Sequence, residues 1–201
     1  MLKKILSLVS NSNSFIEIYD DLLSAKECDI IISYFEKSPQ KRGKLGIGKV
    51  MPEFKACSEL SETLFKEGDV ISNILKPQLI KGLDRYHEKY KSLRELQYWG
   101  LDDYYNVQKY DGEEDGYFVW HEERGDDIPF LNRVLVWMFY LNDAKSGTEF
   151  MHFPTVNPKK GRLVIWPPGW EYTHRGVTPN KGLKYIATGW CSYVTDGDDS
   201  K

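Results

Sequence analysis

Only three cysteines occur in 201 residues, Cys28, Cys57 and Cys191. An odd count with no CxxC spacing argues against a disulfide framework or a zinc knuckle and favours a reducing, cytoplasmic setting. Long apolar runs are also missing, since none approaches the roughly 20 residues that span a bilayer. The stretch Met1-Leu2-Lys3-Lys4-Ile5-Leu6-Ser7-Leu8-Val9 is cut short by Ser10-Asn11-Ser12-Asn13 and lacks a small-residue cleavage site, so it reads as the mature N-terminus of a soluble protein. Excess basic charge is absent too: a net charge of −3 and a pI near 5.9 leave no electrostatic footprint for nucleic acid or an anionic membrane.

What is present is ordinary globular composition, 41% hydrophobic and 28% charged, with aromatic residues high at 14%. That aromatic content suits a β-rich core and an aromatic-lined pocket, though plain packing accounts for most rings. The length fits one domain spanning residues 1–201, with residues 1–100 mostly helical support and residues 101–195 a β core. Phe15-Ile16-Glu17-Ile18-Tyr19 alternates like a short strand, and Ser24 with Glu27 forms a capping-box pattern that opens a helix with Cys28, Ile31, Ile32 and Phe35 on its apolar face. Residues 38–57 read as a long loop. A second helix is expected from about Asp69 to Tyr90, with a kink or break at Pro77. Beyond Leu101 come short runs rich in Val, Tyr, Trp and Phe: Asp103 to Tyr110, Tyr117 to Glu123, Arg133 to Leu141, Arg162 to Trp166 and Leu183 to Tyr193. Helices followed by many strands predict an α+β sandwich or barrel. The acidic tail Asp196 to Lys201 is expected to fray.

The chemistry-bearing pattern is His121-Glu122-Glu123, followed 51 residues after Glu123 by His174 and then by Lys184. On an extended strand His121 and Glu123 point the same way and can grip one ion; a third donor from His174 would complete two imidazoles and a carboxylate with open positions opposite, the donor set of non-haem Fe(II) oxygenases. Taken alone, each member has a plainer reading. HxE is also the pattern of a solvated strand end, a single histidine is commonly a satisfied core residue, and Lys184, aligned with Ile186, Thr188 and Trp190, either guards a sheet edge or points into a pocket that holds an anion. The Arg133 to Leu141 run is apolar on both faces and so should be central, which brings the Tyr140 hydroxyl indoors, where it needs a hydrogen-bond partner.

Six segments occur in order: Asn106-Val107-Gln108-Lys109-Tyr110, Gly116 to Glu123, Tyr140-Leu141-Asn142, Gly147-Thr148-Glu149-Phe150, Pro158 to Pro167, and His174 with Lys184 and Trp190. Together they resemble the motifs of 2-oxoglutarate and Fe(II)-dependent dioxygenases, with the prolyl 4-hydroxylase-like subgroup the nearest. The resemblance implies a double-stranded β-helix (jelly-roll, cupin-like) core carrying N-terminal packing helices. It implies His121, Glu123 and His174 as iron ligands, and Lys184 with Tyr140 on the distal carboxylate of 2-oxoglutarate. Tyr110 matches a tyrosine that faces the site, one residue further from His121 than in close relatives. Glu123 stands where most members carry Asp. Implied cosubstrates are 2-oxoglutarate and O₂, with succinate, CO₂ and a hydroxylated C–H bond as products.

Two other classes are compatible with parts of this pattern. A non-catalytic binding module on the same scaffold need not keep both the ligands and Lys184, and the absence of a helical HExxH signature weighs against a zinc hydrolase. The substrate class is first a prolyl residue in a peptide or protein, with small molecules also served by such cores. Residues 38–60 and the Glu122 to Leu131 loop are candidate lids, Trp120, Trp166 and Trp170 candidate water-excluding rings, and Arg124 and Arg175 either substrate-carboxylate ligands or, as favoured, solvent-facing. Oligomeric state is not legible.

Overall fold

A computed structural model describes residues 14–46, 48–125, 127–179 and 181–194. The N-terminal stretch Met1 to Val9 and the tail Asp196 to Lys201 lie outside the described residues. In chain order the elements are β1 (Glu17–Tyr19), α1 (Ala25–Lys37), β2 (Lys41–Arg42), β3 (Lys55–Ala56), β4 (Ser58–Thr63), α2 (Val70–Lys89), β5 (Trp99–Asp111), β6 (Gly116–His121), β7 (Arg133–Tyr140), β8 (Thr148–Phe150), β9 (Leu163–Trp166), β10 (His174–Gly176) and β11 (Leu183–Tyr193).

The strands form two antiparallel sheets, a seven-stranded one in the order β1-β9-β7-β11-β5-β4-β2 and a four-stranded one in the order β3-β6-β10-β8. This is a jelly-roll-like arrangement with two helices against the larger sheet. All eight residues of β7 are buried, and its two faces serve two cores. Trp137 and Phe139 pack with Ile31, Phe35, Leu75 and Leu79 of the helices, whereas Val136, Met138 and Tyr140 pack between the sheets with Phe150 and Trp166. A central strand apolar on both sides is what a sheet covered on both faces requires.

Helix α1 begins at the capping box, with Ser24 N donating to Glu27 Oε2 at 2.7 Å and Glu27 N to Ser24 Oγ at 3.3 Å. Asp69 caps α2 by accepting from Ser72 N at 2.8 Å. Of the kink or break expected at Pro77, the break does not occur, and α2 runs through it. Pro77 and Asn73, whose carbonyl loses its i+4 donor, are both on the exposed side, where water can replace the bond, while Leu75, Leu79 and Tyr86 anchor the opposite side. None of the described helices is long and apolar enough to cross a membrane.

The N-terminal half is less helical than its composition predicts. Residues before 100 also supply β1, β2 and β4 to the large sheet and β3 to the small one, so the stretch read as a loop over 38–57 contains two short strands. Further on, the Glu122 to Leu131 loop contains one helical turn, Ile128–Leu131.

Candidate metal centre and its cleft

His121 and His174 are direct register partners on the adjacent strands β6 and β10, with ring centroids 4.3 Å apart. Glu123 joins them from outside the ladder. β6 ends at His121, so strand alternation does not deliver the carboxylate as the sequence led us to expect. Instead the amides of Glu123 and Arg124 both donate to Pro168 O, at 3.1 and 3.0 Å, and this turn brings the side chain back over the histidines. Glu123 Oε1 lies 3.8 Å from His121 Nε2 and 3.6 Å from His174 Nε2, and one donor atom from each of the three residues falls within 4.8 Å of the others.

The donor atoms are prepared for a cation. Each imidazole gives its Nδ1 proton to the carbonyl two residues before it, His121 to Val119 O at 3.1 Å and His174 to Tyr172 O at 2.9 Å. A carbonyl can only accept, so the tautomer is fixed and both Nε2 lone pairs are left for the centre. Burial, and then the neighbouring His174, push the His121 imidazolium down towards the neutral form that binds metals. Burial alone would raise the Glu123 carboxyl, yet the two imidazoles and the Arg133 guanidinium hold it well below the usual carboxylate range. Two imidazole Nε2 atoms and one carboxylate around a shared space fit a divalent iron with positions left for other ligands.

Tyr117 stacks on His121 with centroids 3.7 Å apart and planes 12° apart, and Trp166 stands edge-on to His174 at 5.2 Å. Trp166 therefore lines the cleft. The other two tryptophans considered as water-excluding rings do not, since Trp170 is 67% and Trp120 37% exposed and neither reaches the cavity; Trp190 takes that place. Of the two arginines beside the histidine and carboxylate, Arg175 pairs with Glu149 Oε2 at 2.8 Å and Arg124 donates to Arg133 O at 3.0 Å, so neither is presented to the cleft.

The triad opens into a cavity of about 1350 Å³ between the sheets, which also reaches Lys184, Tyr140, Tyr110 and Thr148. Lys184 is 3% exposed and its described partners are Val177 O at 3.0 Å and the face of Tyr110 at 4.6 Å; no described carboxylate pairs with it. Burial lowers its pKa to about 8. An uncompensated buried ammonium is costly, and an anionic ligand relieves it. Beside it, the Tyr140 hydroxyl contacts Thr148 Oγ1 at 2.7 Å and donates to Val156 O at 3.1 Å. Tyr110 presents its ring to Lys184 but commits its hydroxyl elsewhere, donating to Gln108 Oε1 at 2.7 Å; Gln108 and Lys55 in turn both donate to Glu59 Oε2, at 2.8 and 2.7 Å.

Three residues at this site escaped the sequence reading: Arg133 and Trp190, which bond Glu123, and Thr148, which lies within a quoted motif but was given no role. Trp190 shares the face of Lys184 and stands in the last of the quoted motifs, the two signals available for it.

Residues 105–192 match the family described as the 2OG-Fe(II) oxygenase superfamily. No curated protein matches the sequence. Among solved structures, a viral collagen prolyl hydroxylase from Paramecium bursaria Chlorella virus-1, in complex with 2OG, is similar over 90% of this chain and 98% of its own, at 20% identity and a TM-score of 0.67. A Pseudomonas putida prolyl-4-hydroxylase is similar over 96% and 99%, at 16% identity and 0.66. A Trichoplax adhaerens prolyl hydroxylase in complex with a hypoxia-inducible-factor peptide fragment is similar over 95% and 91%, at 14% identity and 0.67. At such identities the likeness speaks for the fold, and the family match speaks for the chemistry. The superfamily match over residues 105–192, together with the His121, Glu123 and His174 donor set, supports a 2-oxoglutarate-dependent dioxygenase that uses Fe(II), 2-oxoglutarate and O₂.

Proposed function

We propose that the protein hydroxylates an unactivated C–H bond, with His121, Glu123 and His174 as the iron ligands and Lys184, Tyr140 and Thr148 as the clamp on the distal carboxylate of 2-oxoglutarate. The observation that carries this reading is the buried, unneutralised Lys184 in the same cavity as the triad. A dicarboxylate with one end on the metal can neutralise the ammonium with its other end, and Lys184 has no comparable use in a hydrolase.

When bound, iron with 2-oxoglutarate and O₂ supplies the oxidising power, one oxygen atom going to the substrate carbon and the other to succinate as CO₂ leaves. The chain's own residues bind and orient. The Nε2 atoms of the two histidines and Glu123 Oε1 supply the donors, and the Nδ1 bonds to Val119 O and Tyr172 O keep both rings aimed. Lys184 and the Tyr140 hydroxyl fix the far end of the cosubstrate, the Tyr110 ring supports the Lys184 cation, and Tyr117, Trp166 and Phe150 keep the ligand rings dry.

For the substrate, we favour a prolyl residue in a peptide or protein over a small molecule. The support is the kinship in fold with prolyl hydroxylases, one of them bound to a peptide. We read the chain as one catalytic domain and, from its three free cysteines, as cytoplasmic. The test is anaerobic titration with Fe(II) and 2-oxoglutarate, watching for the weak visible charge-transfer band of the chelate, followed by a screen of proline-containing peptides and metabolites for stimulated succinate formation. A band lost in His174→Ala supports the ligand set. No band in the wild-type protein would sink it, and stimulation by metabolites alone would move the substrate away from peptides.

A further inference from the structure

Glu123 is one methylene longer than the aspartate usual at this position, and the structure shows what occupies its second oxygen. Oε2 accepts from Trp190 Nε1 at 2.9 Å and from Arg133 Nη1 at 3.1 Å, while Oε1 alone faces the histidines. Arg133 Nη1 also donates to the Glu123 backbone carbonyl at 2.6 Å, so one guanidinium nitrogen grips both the main chain and the side chain of the same residue. The guanidinium is itself held, lying 3.8 Å from the Trp190 centroid and 4.5 Å from that of Phe130, and Arg133 is only 9% exposed. The two donors to Oε2 therefore brace each other through the Arg133 and Trp190 stack.

We infer that Arg133 is a positioning residue, which with Trp190 divides the Glu123 carboxylate into one anchored oxygen and one ligand oxygen. This rests on the assignment of Glu123 as a ligand. A carboxylate on a long, freely rotating side chain could offer both oxygens to a metal and take up an extra position; with Oε2 occupied by two donors, only Oε1 remains, and the positions needed by a bidentate 2-oxo acid and by O₂ stay open. The pinning also limits the rotamer freedom that the additional methylene introduces.

Electrostatics alone predicts the opposite of positioning, which makes the inference testable. A cation beside the site disfavours a divalent metal, so if Arg133 acted only through its charge, Arg133→Met would bind metal more tightly and Arg133→Lys would match wild type. The experiment is anaerobic titration with Co(II) alone, reading affinity and visible ligand-field bands, with thermal melting to confirm folding. Positioning predicts affinity lowered about 10- to 100-fold in Arg133→Met. It also predicts altered bands, and clear weakening in Arg133→Lys, because a single ammonium cannot stack on Trp190 and serve two acceptors in the same way. Trp190→Phe, which keeps a ring but removes the second donor, should weaken binding in the same direction and supplies the answer if Arg133→Met does not fold. Unchanged or tighter Co(II) binding in these variants overturns the inference. If the wild-type protein binds no Co(II), the ligand assignment beneath it falls, a result distinct from unaltered binding in the variants.

Discussion

The Lys184 ammonium lies 4.6 Å from the centroid of the Tyr110 ring and donates to Val177 O at 3.0 Å, so an aromatic face and one carbonyl hold a buried cation that has no carboxylate partner among the described residues. Burial brings its pKa down from 10.5 to about 8. The sign of the consequence follows from which state holds the proton. Between about pH 8 and 10.5 the unfolded chain keeps this proton and the folded, ligand-free protein has lost it, so this residue's contribution to stability improves as pH rises through that window. Cosubstrate binding behaves in the opposite way, because a dicarboxylate needs the ammonium. The rise in melting temperature produced by 2-oxoglutarate, with Mn(II) as the metal, should shrink above about pH 8 in the wild-type protein and stay level in Lys184→Arg, whose guanidinium does not titrate there. A pH-independent response in the wild type would refute the clamp.

Tyr140→Phe removes the hydroxyl that meets Thr148 Oγ1 and Val156 O. Val156 O retains the bond from Thr148 N, so no carbonyl is orphaned, and the expected loss of stability is modest, about 1 kcal/mol by chemical denaturation. The larger effect should be a several-fold rise in the 2-oxoglutarate requirement, with metal affinity nearly unchanged. Thr148→Val should act in the same direction. Equal weakening of metal and cosubstrate would show that the two residues do not belong to the clamp.

His174→Ala removes the proposed ligand, whose Nε2 is 3.6 Å from Glu123 Oε1, and leaves the backbone pairing with His121 in place. Metal-dependent turnover of 2-oxoglutarate to succinate should fall by orders of magnitude, and Zn(II) should not restore activity in either protein. Hydrolytic activity with Zn(II) in the absence of O₂ would revive the hydrolase reading.

Gly82 of α2 packs so closely on β9 that a Cβ there would run into Leu163 Cδ2 and meet Leu22 Cδ1 at 3.1 Å. In an exposed helix Gly→Ala would stabilise by up to about 1 kcal/mol. Here overpacking should outweigh that gain, and Gly82→Ala should lower stability by about 1–3 kcal/mol, with the metal ligands untouched. A raised melting temperature would show that α2 can move off the sheet without cost.

The parts of the fold that announced themselves in the sequence are those whose local pattern and tertiary role coincide. Helix α1 is marked by Ser24 and Glu27 and turns Cys28, Ile31 and Phe35 inward; β7 and β11 carry apolar residues on both faces and pack one face on each core. Strand β4 was not legible, because its cleft-facing residues Glu59, Ser61 and Thr63 are polar and leave no apolar alternation. Of the site, His121, His174 and Lys184 could be read from spacing and resemblance. The route of Glu123 could not, because it depends on a captured carbonyl, Pro168 O, far along the chain. The bonds of Arg133 and Trp190 to Glu123 were equally hidden: ten and 67 residues away, the two side chains meet it only when β7 and β11 lie side by side.

His121 and His174 face each other across the pairing of β6 with β10, and the smaller sheet that contains them has two strands of only three residues, β8 and β10. A metal shared by these two side chains would staple neighbouring strands beside the irregularity in their ladder between His174 and Gly176. Loading the centre would then slow amide hydrogen exchange along β10 and its partners while the helix-backed sheet exchanged as before, tying cohesion of this layer to iron supply.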